Sequence, residues 1–99
     1  MKKLVFESLN ELMAEIPTKL KGGKNVDEEI LRTGIIAELD AINLYTQMAE
    51  KTSNRKIKKV LLDIAIEEKT HVGEFQALLL SLDKEQVDEL KTGAKELKK

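Results

Sequence analysis

The residues best suited to chemistry are Glu67-Glu68-Lys69-Thr70-His71, an E-x-x-H pattern inside an apolar stripe. Alternating steps of four and three residues give Ile57, Leu61, Ile64, Glu68, His71, Phe75, Leu78 and Leu82. That spacing is a helical seam of the heptad kind. Only a carboxylate and an imidazole interrupt it, one turn apart. A carboxylate held among apolar groups needs a compensating partner, because removing its charge from water costs several kcal/mol or more. A pair at i, i+3 aims both groups at one point, as two arms of a metal ligand set would.

A second seam lies upstream. Leu31, Gly34, Glu38, Ala41, Tyr45 and Met48 repeat the spacing and carry one carboxylate, Glu38, with small residues one turn to either side. Thr52-Ser53-Asn54-Arg55 between the seams is a turn signal. Glu38 precedes it by about as many residues as Glu68 and His71 follow it. An antiparallel hairpin rising about 1.5 Å per residue therefore brings Glu38 level with them, roughly 22 Å from the turn. Glu67 is the competing ligand at i, i+4 to His71, but the phase of the seam favours Glu68.

The elements that must position these groups follow. The spacing predicts helices over about 27–51 and 55–81, with Asn25 or Asp27 as the first cap and Asp27, Glu28 and Glu29 suiting its positive end. The first carries a further apolar line, Ile35, Leu39, Ile42 and Ala49. The second adds Val60, Leu62, Ala65, Ile66, Val72 and Leu79. A lone helix pair cannot bury so much apolar surface, so further helices are required, most simply from a second copy. Asp83-Lys84-Glu85-Gln86 has the capping-box pattern for a last helix, with Val87, Leu90, Ala94 and Leu97 on its apolar side. Ahead of the hairpin, residues 4–20 form an amphipathic segment whose helix ends or kinks near Glu15 because of Pro17, and Gly22-Gly23 lies in a linker. The expected organisation is an N-terminal segment and linker over 1–25 and a helical hairpin with a C-terminal helix over 26–99. The expected fold is all-α, dimerising into a four-helix bundle.

Composition narrows the function. The chain has 99 residues, a net charge of -1 and no cysteine. Charge therefore gives no argument for nucleic acid or membrane, and one tyrosine with two phenylalanines is a poor platform for stacked bases. Thiolate zinc and cysteine-bound iron sites are excluded, and a reducing compartment such as the cytoplasm is expected. No signal peptide or membrane-length apolar run is visible.

In carboxylate-bridged dimetal bundles, two helices each supply a Glu and two supply Glu-x-x-His. This hairpin holds half of that set: Glu38, Glu68 and His71. Two copies about a two-fold axis complete it, placing one metal per chain at their interface. Oxygen-rich ligands with one imidazole per metal suit iron or manganese and admit zinc. Without metal, the same groups with a protonated His71 would form a buried ion-pair cluster in a non-catalytic assembly module. Tyr45, two turns from Glu38, is a core residue or a redox-active neighbour. Asp40 and Glu74 flank the site as solvated charges or as a path by which cations approach.

Glu38-Leu39-Asp40-Ala41-Ile42-Asn43-Leu44-Tyr45, followed at thirty residues from Glu38 by Glu67-Glu68-Lys69-Thr70-His71, resembles the encapsulated ferritin family. The likeness covers about residues 28 to 92. It implies a two-helix protomer whose dimer rebuilds the ferritin bundle and assembles further, as in a decamer. It also implies ferroxidase activity, Fe(II) to Fe(III), inside an encapsulin shell that stores the mineral. By matched position Glu38, Glu68 and His71 become iron ligands, and Tyr45 matches a tyrosine near the site. Ala37 stands where the family often has an acidic residue, and Gly93 to Lys99 shows no shell-targeting tail. A rubrerythrin-like dimetal peroxidase or oxidase is the related alternative on the same scaffold.

Overall fold

The computed structural model describes Gly23 and residues 25–98. The amphipathic segment expected over residues 4–20, with Pro17, lies outside them. Three helices follow in order: α1 (Val26–Lys51), α2 (Arg55–Leu82) and α3 (Lys84–Glu96). The described residues contain no strand. The boundaries fall within one residue of those the spacing predicts for the first two.

Local chemistry accounts for the breaks. Gly23 has φ 91°, a conformation that a Cβ would strain, and its carbonyl accepts from the Val26 N–H at 3.3 Å. Asn25 occupies the cap of α1, yet its side chain makes no capping bond. The three acidic residues of the first turn instead face the positive end of the helix. Thr52–Asn54 forms the turn. Thr52 Oγ1 accepts from the Asn54 N–H at 3.1 Å, and Asn54 Oδ1 accepts from the N–H groups of Lys56 and Ile57 at 3.0 and 3.1 Å. Asp83 serves two helices at once. Its N–H donates to the Leu79 carbonyl at 2.9 Å, closing α2, and its carboxylate accepts from the Gln86 N–H at 3.0 Å, opening α3. The expected capping box is therefore half formed, because the backbone donor it needs is already spent on α2.

α1 and α2 pack along their length as an antiparallel hairpin. Ala41, Tyr45 and Ala65 form its buried centre, with Leu61 and Ile64 against them. The two alanines let the backbones approach and leave room for the Tyr45 ring. The buried line on α1 runs from Leu31 through Ala41 and Tyr45 to Ala49. On α2 it runs through Ala65 to Leu79. Met48, Ile57, Leu78 and Leu82, which the seam assigns to the interior, are 37%, 50%, 56% and 52% exposed in the single chain. The cause is helical geometry. A straight helix closes five turns in about 18 residues, the distance from Leu31 to Ala49, whereas a seven-residue seam drifts by about 20° per heptad.

Candidate metal centre

The hairpin register does what the spacing demands. Glu38 on α1 meets Glu68 and His71 on α2, and one ligand atom from each lies within 4.8 Å of the others. Among the described residues this is the group able to hold a metal ion. His71 Nδ1 stands 3.5 Å from Glu38 Oε2 and 3.4 Å from Glu68 Oε2. The two carboxylates are largely covered, whereas the imidazole is 47% exposed.

Two features test the fit to a metal. Glu38 Oε2 is buried with no hydrogen-bond partner, and such an oxygen ordinarily costs about 1–3 kcal/mol if nothing satisfies it. The imidazole contacts are also longer than the roughly 2.7–2.9 Å of a charge-assisted hydrogen bond. They match the edge of a coordination shell, since two ligands about 2.1 Å from one metal at a tetrahedral angle lie about 3.4 Å apart. The donors fit a metal such as iron or manganese better than they fit one another.

The remaining candidates sit apart from this group. Glu67 and Glu74 are exposed and Asp40 is half-buried, and none joins the three. Tyr45 is buried in the core cluster two turns from Glu38 toward the loop, and burial pushes its phenol above the usual 10.0. An open cleft of about 330 Å³ between α1, α2 and α3 is lined by Ile35, Ile36, Leu79, Leu80 and Leu90, with no carboxylate or imidazole, so it is no part of this chemistry.

Sequence reasoning missed Arg32. It lies off both seams, yet its Nη2 pairs with Asp83 Oδ2 at 2.9 Å and ties the α2–α3 junction to α1. A pair separated by 51 residues leaves no periodic trace. The Asp83 carboxyl is held below its usual 3.8, first by the Gln86 N–H and then by Arg32.

A helical hairpin with Glu on one helix and Glu-x-x-His on the other defines half of a ferritin-like bundle. The rubrerythrin family model matches residues 29–99, and the chain belongs to that family. It is 66% identical over 70 residues to the ferritin-like-encapsulin shell fusion protein of Pyrococcus furiosus, covering 71% of this chain and 20% of that protein. It is 41% identical over 66 residues to the encapsulin nanocompartment cargo protein EncC of Myxococcus xanthus, covering 64% of this chain and 51% of that protein. The chain thus spans about half or less of the length of these relatives. The crystal structure of the encapsulated ferritin domain from Pyrococcus furiosus is similar at a TM-score of 0.76 and 56% identity, over 86% of this chain and 87% of that one.

Proposed function

We propose that this protein is a ferroxidase of the encapsulated ferritin type. Two copies pair about a two-fold axis, and Glu38, Glu68 and His71 of each hold an iron pair at their interface. The observation that carries this reading is Glu38 Oε2, buried without a hydrogen bond beside Glu68 and His71. An ion-pair lock would draw these groups to the roughly 2.7–2.9 Å of a charge-assisted hydrogen bond, and neither contact of His71 is that short.

A second copy is supported by the surface around His71. Ile57, Val60, Ile64, His71, Leu78 and Leu82 fall within about 60° of one another around α2, at about 100° per residue. Most of that stripe is exposed in the single chain, and the half-exposed imidazole stands within it. Closing a two-fold interface over the stripe would bury the apolar groups and bring the second set of ligands to the first. Four carboxylates would then balance two dications. Bound iron supplies the redox chemistry, with O2 or peroxide as the oxidant. The chain's part is to fix the donor atoms, exclude bulk water with the apolar stripe, and keep Tyr45 neutral nearby. The names of the relatives support a place beside or inside an encapsulin shell; in this reading the shell lies in the cytoplasm, oxidised iron is stored or detoxified there, and further dimers build a larger ring such as a decamer.

Native mass spectra of the metal-free protein and after anaerobic Fe(II) addition test this. The expected result is an even-numbered assembly gaining about one iron per chain. On admitting oxygen, Fe(III) absorbance should rise with the wild type and not with Glu38→Ala or Glu68→Gln, while Glu67→Gln behaves as wild type. Unimpaired oxidation in Glu38→Ala would remove Glu38 from the site. Iron on a stable monomer would refute the shared centre.

A further inference from the structure

Gly34 stands one turn before Glu38, and Phe75 one turn after His71, so the antiparallel register faces them across the hairpin beside the ligand group. A Cβ built on Gly34 would lie 3.3 Å from both Cε2 and Cζ of Phe75 and 3.4 Å from Cδ2. Three ring atoms thus press on the place where any other residue carries its side chain. Gly73 and Gly93, also helical, have nothing within 4 Å of the same position. A glycine inside a long helix weakens it relative to alanine, and here the close approach of the ring is what its absence of a side chain permits.

We propose that Gly34 is a positioning residue of the metal site. By admitting the Phe75 ring close against α1, it sets the helix separation at which Glu38 reaches Glu68 and His71. An alanine methyl would press on the ring, which must give by a few tenths of an ångström, and α2 would move with it where the packed ring has no room to turn. Phe75 and His71 share one helix face a turn apart, so the shift is carried to the imidazole. Coordination is sensitive to such displacements, and loss of a group that orients a ligand typically lowers metal affinity about 10- to 100-fold. This inference rests on the metal-centre reading above.

The test is anaerobic Co(II) titration of the full chain, read by the visible d–d bands, together with melting of the metal-free protein. Gly34→Ala is expected to weaken Co(II) binding about tenfold and to alter the band pattern, while its metal-free melting temperature is unchanged or higher because alanine favours helix. Gly93→Ala should keep wild-type Co(II) binding. The double variant Gly34→Ala/Phe75→Leu removes the ring atoms that the methyl meets and should recover most of the affinity. Wild-type binding and spectrum in Gly34→Ala would overturn the proposal. So would affinity and melting temperature falling together without recovery in the double variant, which would make Gly34 merely structural. A wild type that takes up no Co(II) would refute the metal centre itself, and the role of Gly34 with it.

Discussion

Replacing Glu38 with Leu should make the metal-free protein more stable. Glu38 Oε2 is buried without a hydrogen bond, and an unsatisfied buried acceptor costs about 1–3 kcal/mol. The side chain keeps 21% of its accessibility, so the lower part of that range applies, roughly 1–2 kcal/mol. For a domain of this size each kcal/mol moves the melting temperature by about 4–8 °C. Metal reverses the order. At about 100 times its dissociation constant a ligand adds roughly 2.7 kcal/mol to the state that binds it. Wild type should gain that increment and Glu38→Leu should gain none. The assay is thermal melting by circular dichroism, after chelator treatment and after anaerobic Co(II) addition. Protein concentrations must match, because the stability of an oligomer depends on them. An ion-pair lock makes the opposite forecast, since stripping one partner from a buried ion pair loses about 3–5 kcal/mol. A metal-free Glu38→Leu that melts below wild type would refute the reasoning. Metal stabilisation that survives in the variant would refute Glu38 as a ligand.

Other expectations are independent of the metal. Asn54→Ala removes the acceptor for two N–H groups of α2 and should cost about 1 kcal/mol, read as a lower melting temperature with Co(II) affinity unchanged. Tyr45 is the single tyrosine, so tyrosinate absorbance reports it alone. Its folded pKa is raised above 10.0 by burial, so its contribution to stability is full below the unfolded value and is lost as pH rises through the folded one. The native ionisation midpoint should lie above that of the urea-unfolded chain, and equal midpoints would place the phenol in water. Asp83 has the opposite sign: its folded pKa lies below 3.8, so its contribution is present above that value and fades as pH falls through the folded one. Amide protection factors in α3, taken against the intrinsic exchange rate at each pH, should therefore fall in acid, and Asp83→Asn, which keeps a capping oxygen but loses the charge facing Arg32, should flatten that fall.

The clustering of Glu38, Glu68 and His71 was legible in the sequence because it depends on symmetry about a turn. Glu38 and the Glu68–His71 pair stand at equal distances from Thr52–Asn54, and antiparallel packing brings them together whatever the fine rotation of each helix. The long-range details were not legible. The Arg32–Asp83 pair depends on where α3 leaves α2, and the Phe75–Gly34 contact on how deeply one ring sinks. The phase of the interior also escaped a seven-residue reading, which assigns Met48 and Leu78 to the place that Ala49 and Leu79 occupy. That displacement is informative in itself. A hairpin that buried its whole seam internally would have no reason to bind a second copy. Here the internal contact takes the line through Leu61, Ala65 and Leu79, and Ile57, Leu78 and Leu82 remain outside on the side of α2 that carries His71. A heptad spacing in those residues is explained if they answer to a different partner from the one α1 provides, with helices that coil about each other as a four-helix bundle requires. The incomplete ligand set and the uncovered apolar stripe are then two consequences of one cause, half of a bundle seen without the other half.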